Sequence, residues 1–199
     1  MKAYHFAGIL LSGGASRRFG EPKAFYPYKN KPMFMFAYES LKKETEKTVI
    51  VSRSELIARF QSMIDDEVIS DDPKFLGEGP LAGIYTAMVD LLAEWYVVLP
   101  CDMPLVNRQF VAYLKNWTQT EEISQCFVPF VKGFKQPMAA IYHRSCLPDI
   151  EQLLNQRQLK MDALLERVNT RIVYPETEGF HSDLFRNINT KQHLCELEN

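Results

Sequence analysis

The chain has 199 residues, 46% of them hydrophobic and 24% charged, with a formal net charge of −2. A chain of that length buries a sizeable core, and one domain spanning residues 1–199 is expected. The near-neutral charge excludes a global basic field for nucleic acid, and no apolar run approaches the roughly 18 residues that a membrane span needs. Cys101, Cys126, Cys146 and Cys195 show no C-x-x-C pairing, which reads as reduced thiols in a cytoplasmic protein. The first apolar run is short and enters Gly-Gly instead of a small-residue cleavage site, so no signal peptide is expected.

Taken in order, Phe6 to Leu11 reads as a buried strand that ends on Ser12-Gly13-Gly14. Phe25 to Tyr28 reads as a short strand or extended segment. Pro32 suits the first turn of a helix whose apolar stripe is Met33, Phe34, Phe36, Ala37, Ser40 and Leu41. Thr48 to Val51 is a second strand, and Ser52 or Ser54 is placed to cap a helix over residues 54–63. Glu67 to Ile69 is a third strand, leading into Ser70-Asp71-Asp72-Pro73. Residues 75–83 are rich in Gly and Pro and form a loop, with Pro80 starting a helix that runs to about Ala93.

Trp95 to Leu99 is a continuous apolar run, the pattern of a strand buried on both faces of a parallel sheet. Pro100-Cys101-Asp102 closes it, and a helix follows over residues 107–116. Cys126 to Val131 and Met138 to Tyr142 read as strands about the turn Lys132-Gly133-Phe134, either a hairpin or an antiparallel excursion. Helices over 145–155 and 160–168, a strand over 171–174 and a terminal helix over 191–197 complete the chain. The alternation predicts an α/β fold in three layers, Rossmann-like, with a mostly parallel central sheet and an antiparallel excursion.

In such sheets ligands lie beyond the carboxyl ends of the strands, which is where Gly13-Gly14, Asp71 or Asp72, and Asp102 arrive. Paired glycines let the backbone turn and approach a ligand, and consecutive amides in such a turn form an anion-binding concavity. Arg17, Arg18 and Lys23 add positive charge within the same segment, and the whole reads as a triphosphate cradle. It is neither a Walker A loop nor a G-x-G-x-x-G fingerprint. Asp102 is placed either to hold Mg²⁺ with substrate phosphates or to cap the helix after Pro104. Gly83 inside a helix costs about 1 kcal/mol against Ala, which close approach to a ligand or close helix packing would explain. Asn187 and Asn189 flank Ile188 and so share one face of an extended segment, or bond to their own backbone in a turn. His5, His143, His181 and His193 lack ligand or triad spacing, and Ser16 lacks an evident base.

The segment Leu11-Ser12-Gly13-Gly14-Ala15-Ser16-Arg17-Arg18-Phe19-Gly20-Glu21-Pro22-Lys23 resembles L-x-G-G-x-S-x-R-M-G-x-x-K, the signature of molybdenum cofactor guanylyltransferases and related MobA-like nucleotidyltransferases. Phe19 replaces the usual Met. The resemblance continues at Gly79-Pro80-Leu81-Ala82-Gly83, at Leu99-Pro100-Cys101-Asp102-Met103-Pro104 and at Asn187-Ile188-Asn189-Thr190, and so covers nearly the whole chain.

The resemblance implies transfer of GMP from GTP to molybdopterin, with Mg²⁺ as cofactor and pyrophosphate as the second product. It implies catalytic roles for Arg18, Lys23 and Asp102, with Asp102 binding the metal. It implies nucleotide contacts from Leu11, Ser12, Gly13, Gly14, Lys23, Asp71, Pro80, Leu81, Gly83 and Asp102. Gln136, Asn187 and Asn189 are acceptor-side candidates, and the product would pass to other cofactor-biosynthesis proteins or molybdoenzymes. No role is carried over to Ser52 or Arg53, where some relatives have Asn. Two alternatives stand beside this: a cytidylyl- or sugar-1-phosphate nucleotidyltransferase of the same fold, and a non-catalytic nucleotide-binding cofactor carrier.

Overall fold

A computed structural model describes residues 3–14, 19–120 and 123–198. Arg17 and Arg18 therefore lie outside the described residues. The chain is built on one mostly parallel sheet. Its strands are β1 (Tyr4–Ser12), β4 (Lys47–Ser52), β5 (Glu67–Ile69), β6 (Ala93–Pro100), β7 (Cys126–Val131), β9 (Ala140–His143) and β10 (Thr170–Val173). The spatial order is β10-β7-β9-β6-β1-β4-β5. A two-residue strand, β8 (Phe134–Lys135), pairs with the free end of β7, and β2 (Pro27–Tyr28) pairs with β3 (Lys31–Pro32) in a separate hairpin.

β1 lies between β4 and β6 and is parallel to both. The chain leaves β1 toward β4 and β5, then returns to the other side as β6. That reversal beside β1 is the switch point at which open α/β sheets bind ligands. β9 runs antiparallel to both β6 and β7, so the excursion is a strand inserted between two parallel ones. The turn at Lys132-Gly133 joins β7 to the short β8, and β9 follows only after Gln136 and Met138.

Both faces of the sheet are covered. On one face Phe6, Leu10, Ile50, Trp95, Val97 and Leu99 pack with α1 (Phe34–Glu44), α2 (Ile57–Gln61) and α4 (Arg108–Trp117). On the other, Ile9, Val49, Val51, Tyr96 and Val98 pack with α3 (Pro80–Asp90), α5 (Leu147–Asn155) and α6 (Met161–Arg167). This double cover is why β6 reads as an unbroken apolar run. A third small cluster, holding Phe19, Tyr28, Met33, Ile188 and Leu194, ties the β2–β3 hairpin to α7 (Lys191–Glu198).

Several local expectations shift. Pro32 closes β3 and does not start a helix, because Lys29 (φ +43°) and Asn30 (φ +65°) form a tight left-handed hairpin turn. α1 begins two residues later, at Phe34. The predicted 54–63 helix is a 3-10 turn, Ser54–Leu56, followed by a five-residue α2. Neither serine caps it: Arg53 precedes the turn and makes no capping side-chain bond, and the Ser52 hydroxyl donates to the Ser12 carbonyl at 3.4 Å. The helix from Pro80 ends at Asp90 and β6 starts at Ala93, since Tyr4 pairs with Ala93.

Candidate active site

The carboxyl ends of β1, β4 and β6 and the loop beyond β5 surround a cavity of about 510 Å³. From β1 come Leu11, Ser12, Gly13 and Gly14, from the β4 end Val51 and Arg53, and from the β6 end Pro100, Cys101 and Asp102. Asp71, Gly79, Pro80, Gly83, Lys23 and Met138 complete the wall that concerns the site. Segments remote in sequence meet here because the strands they follow are neighbours in register, Leu11 lying opposite both Val51 and Pro100.

The charged centre is compact. Lys23 sits in a 3-10 turn, Lys23–Phe25, held down by buried Ala24 and Phe25. Its Nζ meets Asp102 Oδ2 directly and donates to Asn189 Oδ1 at 3.1 Å. Lys23 and Asp102 are 14% and 13% exposed at the side chain, so this ion pair is largely withdrawn from water. The Ile188 amide donates to the Asp102 carbonyl at 2.8 Å, which fastens Asn187-Ile188-Asn189 beside the carboxylate. Asp102 Oδ1 and Asn187 Oδ1 are both buried and have no hydrogen-bond partner. Two buried acceptors without partners are costly unless something fills their lone pairs.

Asp71 and Asp72 divide their work. Asp72 caps the 3-10 turn Pro73–Phe75, accepting from the Lys74 amide at 2.8 Å. Asp71 lines the cavity and accepts from the Gly77 amide at 3.1 Å. Burial raises the Asp71 carboxyl above its ordinary value, against the opposing pull of the Gly77 amide. Burial likewise pushes the Cys101 thiol up to about 11, with the adjacent Asp102 charge adding to it. Cys101 is thus a neutral wall residue at physiological pH, not a thiolate nucleophile.

Gly83 is explained by packing. A Cβ there would lie 2.8 Å from Leu11 Cδ2 and 3.7 Å from Asp71 Oδ1, so the helix sits directly on the last turn of β1. By contrast a Cβ on Gly13 or Gly14 meets nothing within 4 Å among the described residues. Leu81 does not reach the cavity: its side chain is fully buried in the core between α3 and the sheet. The start of an amphipathic helix turns its side chain inward, away from the wall that Pro80 and Gly83 form. Gln136 is half-buried, its amide donating to the Pro129 carbonyl at 2.8 Å, and it does not line this cavity; Met138 from the same loop does.

Sequence reasoning assigned nothing to Arg53. It lines the cavity, Nη1 pairs with Glu55 at 2.9 Å, and its buried Nε has no partner. Its signal was positional: a cation one residue beyond a parallel strand at the ligand edge.

Two glycines at the end of β1, a lysine–aspartate pair and a switch-point cavity are the marks of an α/β NTP transferase domain. The chain belongs to the MobA-like NTP transferase family, whose model matches residues 8–172. It is 42% identical over 190 residues to a probable molybdenum cofactor guanylyltransferase of Bacillus subtilis, covering 96% of this chain and 93% of that one. It is 37% identical over 190 residues to a protein of the same description from Halalkalibacterium halodurans, covering 95% and 96%. Among solved structures it resembles molybdopterin-guanine dinucleotide biosynthesis protein A from Archaeoglobus fulgidus, with a TM-score of 0.82, 27% identity and 96% of each chain covered. No helix among the described residues is long and apolar enough to cross a membrane.

Proposed function

We propose that this protein transfers GMP from GTP to molybdopterin, forming the guanine dinucleotide form of the cofactor. A terminal phosphate oxygen of the acceptor attacks the α-phosphorus of GTP. The bond from the α-phosphorus to the bridging oxygen breaks, and pyrophosphate leaves with its electron pair. The observation that carries this reading is the meeting of Lys23 and Asp102 in one cavity with Gly13-Gly14, with Asn189 holding Lys23 from behind the wall. The relatives named as guanylyltransferases over nearly their whole length support the choice of GTP and molybdopterin.

Such a step is carried by positioning and by stabilising charge. Gly13 and Gly14 would bring backbone to the phosphate oxygens, and among the described residues nothing stands within 4 Å of where their Cβ atoms would be. Lys23, gripped by Asp102 and Asn189, is held ready to offset negative charge. Arg18, outside the described residues, is assigned to the same task. Ser12, Asp71, Pro80 and Gly83 would shape the nucleotide's seat. Asn187 and Asn189, tied to the Asp102 backbone, would face the acceptor.

The orphaned oxygens of Asp102 and Asn187 suit a hard divalent cation such as Mg²⁺. Such an ion would share its shell with substrate phosphates and water. When bound, such an ion neutralises phosphate charge and orients the reacting group. No disulfide links Cys101, Cys126 and Cys146 among the described residues, and the protein is proposed to work in the cytoplasm.

The test is pyrophosphate release from purified protein with GTP, Mg²⁺ and molybdopterin, each omitted in turn. Release should need all three, and Asp102→Asn should lower it by about 10²–10³-fold. Preference for CTP would reassign the base. Tight GTP binding without release under any acceptor would make the protein a carrier.

A further inference from the structure

A second concavity lies on the other side of the segment that carries Asp102. Its volume is about 320 Å³, it shares no residue with the first cavity, and Tyr28, Lys29, Glu39, Lys43, Asn107 and Arg108 frame it. Its floor is the stretch after Asp102, held down by the Ser40 hydroxyl, which donates to the Val106 carbonyl at 3.2 Å.

Three features of this groove point the same way. Three cations face one carboxylate, and that carboxylate, Glu39, is already engaged by Lys31 at 2.6 Å from outside the frame. The N-terminus of α4 opens here. The Asn107 side chain accepts from the Phe110 amide at 3.0 Å and its carbonyl from the Val111 amide, so the amides of Arg108 and Gln109 remain without intrahelical partners. Tyr28, only 1% exposed, has a hydroxyl with no hydrogen-bond partner, under a Lys29 Nζ that lies 5.3 Å from its ring centroid. A buried hydroxyl left unsatisfied costs about 1–3 kcal/mol, so the groove gains from a ligand that accepts from it.

Excess positive charge, two spare helix amides and a spare hydroxyl donor together describe an oxyanion receptor. We infer that the groove between α1 and the start of α4 is a second anion site that takes a phosphate or diphosphate group. Lys43, Arg108 and the α4 amides contact the anion, and the Tyr28 hydroxyl donates to it from below. Arg108 is shared with Glu44 at 3.4 Å, so part of its charge is offset there. The site does not rest on the transferase reading, since its readout is separate from activity.

The experiment is a titration of the full chain with inorganic phosphate and, separately, with pyrophosphate, followed by amide NMR shifts. Saturable shifts are expected at Val106, Arg108 and Gln109, with a midpoint distinct from that at Ser12 and Gly13. The variant Lys43→Gln/Arg108→Gln should weaken the groove midpoint about tenfold and leave the Ser12 midpoint unmoved. Tyr28→Phe, which keeps the ring packing and removes one oxygen, should weaken it severalfold. A tighter pyrophosphate midpoint identifies a diphosphate ligand, and equal midpoints identify a single phosphate group. Shifts confined to Ser12 and Gly13, or a groove midpoint unmoved by both variants, would overturn the assignment.

Discussion

Lys23 and Asp102 illustrate how a pair can be both a structural and a chemical element. Each is largely buried, and each would be an uncompensated charge without the other. Arg53 is held differently. One guanidinium nitrogen is engaged by Glu55 while the buried Nε stays unsatisfied at the cavity wall. A guanidinium so placed suits a base edge or a phosphate oxygen. Arg53→Ala should therefore weaken GTP binding by about tenfold in calorimetry, with thermal stability nearly unchanged. Unaltered affinity would remove Arg53 from the nucleotide's surroundings.

At the level of elements, the site depends on how closely α3 sits on β1. Gly79 (φ +83°) lets the chain swing into Pro80, which opens the helix without needing an amide partner. Gly83 then lets the helix rest on Leu11. In Gly83→Ala the helix gains about 1 kcal/mol of intrinsic propensity, while the new Cβ displaces the flexible end of Leu11. Those effects nearly cancel in stability, so the melting temperature should move little. Leu11 lines the cavity, so GTP affinity should fall. A variant with unchanged affinity would mean that Leu11 yields away from the cavity.

Across the whole molecule, two cores on opposite faces of one sheet hold the carboxyl edge in place, and tethers pin the outer helices. One tether joins α1 to the approach to β5: Asp66 accepts from the Tyr38 hydroxyl at 2.6 Å and from Lys42. Burial works to raise the Asp66 carboxyl, but the bonds from Lys42 and Tyr38 outweigh it and hold it below its ordinary value. A depressed carboxyl contributes stability that is present above its unfolded value, near 4, and lost as pH falls through the lower folded value. Wild type should thus lose stability on acidification below about pH 4, and Asp66→Asn should show a shallower loss in denaturant melts at stepped pH. Parallel curves would exclude this carboxylate from the acid response.

Local patterns carried much of this protein. The unbroken apolar run of β6 announced a strand covered on both faces, and the alternation of strands and helices announced the layers. Gly13-Gly14, Lys23 and Asp102 stood out through the clustering of glycines and cations in one segment and through the family motifs that carry them. What only tertiary structure decided were choices between near-equals. Asp71 faces the cavity because its neighbour Asp72 is consumed as a cap. Leu81 turns inward because a helix has two sides and periodicity names the stripe without naming what lies opposite. Gly83 answers to Leu11 across 72 residues, and Asn189 answers to Lys23 across 166. Such contacts are set by strand order and register, which no stretch of sequence contains by itself.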